Sequence, residues 1–373
     1  MKIYELFLTC PKGLEEVCKQ DLAGLNLENL NILDGGLSFN GSINTICQVN
    51  LLSRIGMQLL IKVKSFSLSS IKDFYKSIYD YYWIKILNPR MTFSISSNIY
   101  NKNKLFDNSQ FVSLKAKDAI VDRLIKEKGK RPNVDKINPD LIIKITIQDN
   151  MCNIYLNSSG SPLYIRNYKQ LSNHKAPINE SIASALVYLS NWDKQITLAD
   201  PLCGSGTICT EASMIKQKIP PGINRNFSFQ RWLNYDKDLF KVIRKKLLNN
   251  IDESSKINIF GSDINSAYIN ECKNILRLFR YNLGINFKMN NISSTNYENS
   301  TIITNPPYGI RLSDSNNDNF IKNGLDRLLD HGNDIYVIYP EENSFIKDNY
   351  DYTILANLYN GSIKCQFYKL HNV

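Results

Sequence analysis

The sequence lacks a cluster of metal-binding residues, a long apolar run and a secretory leader. It has only three histidines, and its eight cysteines form no Cys-x-x-Cys pair, so we expect no metal site. The cysteines are interpreted as small core residues in a reducing compartment. No apolar run approaches the length of a membrane span, and the first residues predict a strand and a turn rather than a leader. We therefore expect a cytoplasmic protein that does not enter a membrane.

Positive charge is in excess, with a formal net charge of +10 over 373 residues. This balance favours a polyanionic partner, and nucleic acid is the first choice. A long amphipathic helix is predicted over residues 109–128, followed by further cations. An RNA-binding face and an ordinary solvated helix face, with acidic neighbours, explain this pattern equally well. The candidate RNA-binding residues here are Lys115, Lys117, Arg123, Lys130 and Arg131.

The order of predicted strands and helices divides the chain into three parts. Residues 1–66 alternate strand and helix signals as a small ferredoxin-like α+β unit, and residues 67–160 form a second α+β unit. Residues 161–373 alternate strand and helix in the manner of a doubly wound parallel sheet. A last pair of strand signals is joined by Asn360-Gly361, which predicts an antiparallel hairpin at the end of that sheet. A further strand is predicted over residues 163–167.

The first motif links a short strand to a helix and contains two glycines. It is the run Asp200-Pro-Leu-Cys-Gly-Ser-Gly-Thr207. Its glycines let the backbone approach a ligand, and the helix N-terminus offers N–H groups to an anion. An opening carboxylate suits a ligand that also carries an ammonium group, as the methionine end of S-adenosylmethionine does; the alternative is an ordinary tight turn. The residues expected to bind the cofactor here are Asp200, Cys203, Gly204, Gly206 and Thr207.

The second motif places an acidic residue at the end of the next sheet strand. Asp263 could accept hydrogen bonds from both ribose hydroxyls of a nucleoside cofactor. It follows Asp200 at a long distance in sequence, so the intervening segment is interpreted as an insertion. A second interpretation is that Asp263 caps the next helix, and both roles are compatible.

The third motif, Thr304-Asn-Pro-Pro-Tyr-Gly309, follows a predicted strand and is the most specific of the three. Two prolines remove backbone donors and hold the chain extended. The Asn305 side-chain oxygen and a proline carbonyl could then accept both hydrogens of an exocyclic amino group, while Tyr308 offers a flat face for the base. The candidate catalytic residues are Asn305, Pro306, Pro307 and Tyr308. All three motifs follow sheet strands, where open α/β sheets bind ligands.

With these motifs, the sequence resembles the class I, Rossmann-like amino-methyltransferases, and more narrowly the THUMP-domain family that makes N2-methylguanine in large-subunit ribosomal RNA. The resemblance covers nearly the whole chain. The stretches that carry it are residues 109–122, 129–132, 163–168, 176–180, 200–211, 220–225 and 358–361. It implies a THUMP RNA-binding domain in residues 67–160 and a methyltransferase domain in residues 161–373.

The resemblance also implies roles for individual residues and for partners. Asp200, Gly204 and Gly206 would form the cofactor loop, and Asp263 would bind ribose. Where such families often carry Asp toward the adenine amino group, this chain has Asn291, which could make one neutral hydrogen bond. Arg166 lies in the linking segment and is a further RNA-binding candidate. The expected substrate is 23S ribosomal RNA, and a monomer is the working expectation.

The predicted activity is therefore methyl transfer from S-adenosylmethionine to the exocyclic N2 of a guanine in 23S ribosomal RNA. Two alternatives within enzymes remain open at this stage, because Asn-Pro-Pro-Tyr also serves adenine-N6 methylation and some THUMP enzymes act on transfer RNA. A third alternative is a non-catalytic RNA-binding or ribosome-assembly factor. The intact loop and Asn-Pro-Pro-Tyr motifs argue against the last of these.

Overall fold

The computed structural model describes residues 2–100, 105–168, 178–307 and 315–371, which form two sheets flanked by helices. The first sheet has eight strands in the order β2-β3-β1-β4-β8-β7-β5-β6. Its strands are β1 (Tyr4–Thr9), β2 (Glu28–Leu33), β3 (Gly36–Gly41), β4 (Gln58–Ser67), β5 (Thr92–Tyr100), β6 (Asn133–Val134), β7 (Leu141–Gln148) and β8 (Met151–Asn157). Its helices are α1 (Glu15–Asp21), α2 (Ile43–Leu52), α3 (Ile71–Tyr79) and α4 (Ser109–Lys128).

The two predicted N-terminal units share this one sheet. Strand β4 pairs antiparallel with β8, so that Leu60 lies opposite Asn157 and Ser67 opposite Met151. The hydrogen-bond ladder is thus continuous from residues of the first unit to residues of the second. The division of the chain at residues 66 and 160 stays a prediction.

The second sheet has seven strands in the order β11-β10-β9-β12-β13-β15-β14. Its strands are β9 (Leu198–Asp200), β10 (Ile259–Asp263), β11 (Ile285–Met289), β12 (Thr301–Thr304), β13 (Asp334–Pro340), β14 (Asp351–Asn360) and β15 (Ile363–His371). Strands β9 to β13 are parallel, and β14 and β15 form the expected antiparallel hairpin beside β13. Its helices are α5 (Glu180–Leu189), α6 (Thr207–Lys216), α7 (Lys237–Asn249), α8 (Ser266–Arg277), α9 (Ser315–Asp330) and α10 (Phe345–Asn349).

The strand order of the second sheet creates a crevice beside its centre. From β9 the chain proceeds outward to β10 and β11, then returns to the other side of β9 for β12 and β13. The direction in which successive strands are added to the sheet therefore reverses between the parallel strands β9 and β12. Ligands bind at such switch points, beyond the carboxyl ends of the strands. Asp200 ends β9 and Thr304 ends β12, so the first and third motifs meet there.

Helix α4 forms where the amphipathic pattern predicts it. The Asn108 side chain accepts hydrogen bonds from the backbone N–H groups of Gln110 and Phe111 and caps its start. Gly129 ends it in a left-handed conformation with φ of 66°. The predicted apolar stripe is buried, and it consists of Val112, Ala116, Ala119, Ile120 and Leu124.

The strand predicted over residues 163–167 is absent, and the prediction was wrong. Residues 158–168, which follow β8, form turns and irregular backbone. Their carbonyl groups are satisfied by a buried side chain rather than by a neighbouring strand, because the Arg225 guanidinium donates to the carbonyls of Ser161, Pro162 and Ile165. The segment thus packs against the insertion that follows α6.

Candidate active site

The glycine loop connects β9 to α6 and depends on two left-handed glycines. Gly204 has φ of 50° and Gly206 has φ of 74°. A Cβ atom on Gly206 would also lie 2.6 Å from the ring of Phe287, which packs beneath the loop. Helix α6 begins after Gly206 without a side-chain cap. Its first-turn N–H groups are therefore available to an anionic ligand.

Asp200 opens this loop and is only 2% exposed. Its Oδ1 accepts a hydrogen bond from the Thr304 hydroxyl at 2.7 Å and another from the Leu202 N–H at 3.1 Å. Burial raises the pKa of Asp200 from its ordinary 3.8 to about 7, although these two hydrogen bonds act in the opposite direction. A positively charged ligand beside Asp200 would favour the ionised form of this carboxyl group.

Asp263 is held at the end of β10 by backbone donors. Its Oδ2 accepts a hydrogen bond from the Gly204 N–H at 3.0 Å, and its Oδ1 accepts one from the Asn265 N–H at 2.8 Å. The interpretation of Asp263 as the cap of the next helix was wrong, because Asn265 caps α8 by accepting the Ala267 N–H. The first contact joins the glycine loop to the second motif, and each carboxylate oxygen keeps a lone pair for a further donor.

Asn291 follows β11 and caps the short 3₁₀ helix Ile292–Ser294. Its Oδ1 accepts a hydrogen bond from the Ser293 N–H at 2.9 Å. An amide oxygen has two lone pairs, so one remains for the neutral contact expected from the sequence. The role of Asn291 in cofactor binding stays a prediction.

Asn305 directly follows β12 and presents an unsatisfied acceptor. Its Oδ1 is inaccessible to solvent and has no hydrogen-bond partner among the described residues. A buried acceptor without a partner costs roughly 1–3 kcal/mol, so such an atom calls for an explanation, and a bound donor is one. Pro306 is buried beside it and Pro307 is half-buried. Tyr308 lies outside the described residues.

The two remaining loop candidates are packed inward. Cys203 is 7% exposed, and its pKa is raised by the adjacent Cys272 thiol and by burial. Thr207 is buried, and its hydroxyl lies 3.4 Å from that of Ser205. Both side chains support the loop from within, so their contact with a cofactor would run through their backbone atoms.

The candidate RNA-binding cations of α4 and the residues after it lie at the surface, and several have local partners. Lys117 pairs with Asp118 at 2.9 Å, and Lys115 lies over the ring of Phe111 at 5.7 Å. Lys130 and Arg131 are exposed. Arg123 pairs with Glu127 and lies over the ring of Tyr79. Their contact with RNA stays a prediction.

Arg166 is a correction, because it lies in the interior and not on an RNA-binding surface. It is 4% exposed, and its guanidinium forms an ion pair with the fully buried Glu211 of α6 and donates to the Arg54 carbonyl. Glu211 also accepts hydrogen bonds from the hydroxyls of Tyr168 and Ser184, both at 2.7 Å. No local sequence pattern indicates this network, because its members are far apart along the chain. The guanidinium joins α6, and hence the glycine loop, to the N-terminal module.

Three family descriptions match successive parts of the chain. Residues 5–58 match the RlmL ferredoxin-like domain, residues 69–157 the THUMP domain, and residues 166–347 the RMKL-like methyltransferase domain. The Ribosomal RNA large subunit methyltransferase K/L of Buchnera aphidicola subsp. Acyrthosiphon pisum (strain APS) is 31% identical over 330 residues, covering 84% of this chain and 46% of that protein. The chain belongs to the THUMP-domain methyltransferases. It spans about half the length of the curated relatives it matches.

This THUMP-domain methyltransferase is similar to two solved structures over its whole length. SMU.472, described as a methyltransferase and crystallised as a complex with SAH, has a TM-score of 0.88 and 26% identity, covering 100% of this chain and 99% of that chain. A methylase from Clostridium difficile 630 has a TM-score of 0.87 and 27% identity with the same coverage. The α/β fold class expected from the sequence, with its THUMP module, Rossmann-like domain and closing hairpin, is confirmed.

No helix in the four ranges that the structure describes is long and apolar enough to cross a membrane. Within the same part of the chain, no group of three or more His, Cys, Asp or Glu side chains is arranged to hold a metal ion.

Proposed function

We propose that this chain is an S-adenosylmethionine-dependent methyltransferase that acts on the exocyclic N2 of a guanine in 23S ribosomal RNA. The observation that carries the proposal is the buried, unpartnered Oδ1 of Asn305 at the switch point of the sheet. An exocyclic amino group is a donor that would satisfy this atom. Carbonyl acceptors on the amine hydrogens orient the nitrogen lone pair outward, toward a methyl donor.

The loop beside Asn305 fits the proposed cofactor. The uncapped first turn of α6 suits its carboxylate, and the ionised form of Asp200 suits its ammonium group. The carboxylate of Asp263, fixed by two backbone donors, suits the ribose hydroxyls. When bound, the cofactor supplies an electrophilic methyl group, so the protein has to provide position rather than a reactive side chain.

Positioning is what the described residues can contribute. Thr304 hydrogen-bonds Asp200, so the strand end that carries Asn305 is fixed to the residue that opens the cofactor loop. Correct orientation of two reactants can lower the reaction barrier by about 7–11 kcal/mol. Pro306 excludes water beside Asn305, which strengthens the hydrogen bond to the amine. A base must leave its stack to reach such a pocket.

The choice of substrate rests on the relatives. Two curated relatives from Buchnera aphidicola carry the name Ribosomal RNA large subunit methyltransferase K/L. The matching THUMP domain and the net charge of +10 agree with an RNA partner. A cytoplasmic location and action as a monomer are parts of the same proposal.

The test is methylation of RNA that lacks the modification. Total RNA from a strain without this gene is incubated with the protein and radiolabelled S-adenosylmethionine, and the labelled nucleoside is identified. We expect N2-methylguanosine in large-subunit ribosomal RNA. N6-methyladenosine would contradict the proposed base, label in transfer RNA would contradict the proposed substrate, and absence of label would contradict the activity.

The Asn305→Ala variant tests the residue that carries the proposal. We expect a loss of methylation of at least 100-fold, the scale of removing a transition-state hydrogen bond in a dry site, with cofactor affinity unchanged. Asn349→Ala is the matched control, because Asn349 bonds only within α10 in the described structure. Equal loss of cofactor binding in Asn305→Ala, measured by titration calorimetry, would contradict the assigned role.

A further inference from the structure

A cleft lies outside the candidate active site, where the first sheet meets the segment that follows α6. One wall is the turn of residues 137–139 and the start of β7, and the other is residues 226–237 with Gly160 and Ser161 at the base. The cavity has a volume of ≈ 680 Å³, within the range of small-ligand sites. No step of the proposed methyl transfer uses it.

An exposed isoleucine is presented at the mouth of this cleft on a fixed turn. Ile137 is 96% exposed. The Asp135 side chain accepts the N–H groups of Ile137 and Asn138 at 2.8 and 3.0 Å and thereby closes the turn. From the opposite wall, the Arg231 guanidinium donates to Asn138 Oδ1 at 2.6 Å. A single exposed apolar side chain is ordinary, but the turn that carries Ile137 is fixed by these contacts, so less conformational freedom would be lost when a partner binds.

The charges around the cleft favour an anion. Arg231 and Lys237 line it, and none of its described lining residues is a carboxylate, while Lys136 is exposed beside Ile137. Three carboxylates lie near the cleft but outside its lining. Asp135 holds the turn and is attracted by Arg231, and Asp236 caps α7 by accepting the Leu239 N–H. Asp238 pairs with Lys241 at 3.3 Å, on the helix that Lys237 begins.

Tyr235 lines the cleft with an aromatic ring that packs against other rings. Tyr235 packs edge-on against Phe229 and is tilted against Phe240, with ring centroids 5.9 and 6.1 Å apart. The ring is half-buried, so part of it remains open to the cleft. An aromatic ring and an apolar side chain next to cations are the combination that binds unpaired nucleotides, through their bases and their phosphates.

We propose that this cleft holds an unpaired nucleotide of the RNA substrate, away from the base that is methylated. Ile137 packs against the base, as apolar side chains do when they enter a base stack. Arg231 and Lys237 face the phosphates. The cleft lies between the THUMP-matching residues and the methyltransferase domain, so an RNA bound there would contact both. This inference rests on the proposed RNA substrate.

The test is binding of a short fluorescein-labelled oligouridylate to the full chain, followed by anisotropy across a salt series. Ile137→Ala should weaken binding about fivefold with an unchanged salt slope, the lower end of the scale for base contacts. Lys237→Ala should reduce the slope of log affinity against log salt by about 0.7, the value for one phosphate of a single strand. Lys241→Ala is the matched control, since it is an exposed lysine of the same helix already paired with Asp238.

Three outcomes would overturn the inference. If Ile137→Ala and Lys237→Ala bind the oligonucleotide with the affinity and salt slope of Lys241→Ala while the wild type methylates RNA, the cleft assignment is overturned. The proposed function then stands. Wild-type protein that neither binds the oligonucleotide nor methylates RNA would overturn the proposed function as well. Self-association of wild-type protein in sedimentation that is lost in Ile137→Ala would assign the cleft to a second copy of the chain instead.

Discussion

The buried carboxyl group of Asp200 should make the folded protein less stable as pH rises, and Asp200→Asn should remove this cost. The pKa of Asp200 is about 7 in the folded chain against an ordinary 3.8, so the folded state holds its proton more tightly than the unfolded state. Stability from this group is full below the unfolded pKa and declines until the folded pKa is passed. The integrated cost is about 2 kcal/mol at pH 5 and about 4 kcal/mol at pH 8. Asparagine keeps an acceptor for Thr304 and Leu202, and no charge.

The assay is urea unfolding of wild type and Asp200→Asn at several pH values, followed by tryptophan fluorescence. We expect the stability gained by the variant to grow by about 2–3 kcal/mol between pH 5 and pH 8. Cofactor affinity should fall in the variant, and wild-type affinity should fall as pH drops below 7. The matched control is Asp193→Asn, an exposed aspartate that accepts the Gln195 N–H. A stability difference that does not vary with pH, or one shared by Asp193→Asn, would refute the reasoning.

Two further variants test the packing around the site. Gly206→Ala should cost about 3 kcal/mol of unfolding free energy and abolish cofactor binding, because it adds overpacking against Phe287 to left-handed backbone strain. Gly129→Ala, with φ of 66° and open space around its Cβ position, should cost only about 1 kcal/mol in the same urea unfolding assay. Arg166→Ala should cost about 3–5 kcal/mol by leaving Glu211 buried and unpaired, while RNA affinity per folded molecule stays unchanged. A stable Arg166→Ala variant with weakened RNA binding would favour the surface role expected from the sequence.

The sequence predicted the second sheet well because its signals are local. A parallel strand, a tight turn and a helix follow each other within a few residues, and the hairpin signal Asn360-Gly361 lies at the turn between β14 and β15. The Asp200 loop and the residues after Thr304 therefore appear at strand ends, as expected. Strand β2 (Glu28–Leu33) was missed because it is an edge strand with alternating polar residues and lies beside only one neighbour.

The sequence could not predict structure that depends on distant partners. The residue types at 163–167 predict a strand, but the segment forms turns instead. The Arg225 guanidinium, some sixty residues along the chain, donates to carbonyls of this segment and of the residue before it. Arg166 was predicted to bind RNA because nothing in the sequence indicates its buried partner. That partner, Glu211, lies in a helix whose sequence pattern predicts packing but no ion pair. The pairing of β4 with β8 likewise joins residues that no short-range pattern relates.

Other contacts between distant residues explain how the three motifs can act as one site. The Thr304 hydroxyl fixes the residue before Asn305 to Asp200, and the Gly204 N–H fixes the loop to Asp263. The proposed base-binding acceptor and the proposed cofactor-binding carboxylates are therefore connected by hydrogen bonds across three adjacent strands. Thr304→Val should affect cofactor binding at Asp200 without removing the Asn305 side chain. Loss of the hydroxyl deletes a hydrogen bond that lowers the pKa of Asp200, so that pKa should rise. As pH is lowered, cofactor affinity should therefore begin to fall at a higher pH in Thr304→Val than in wild type, while the Asn305 acceptor remains in place.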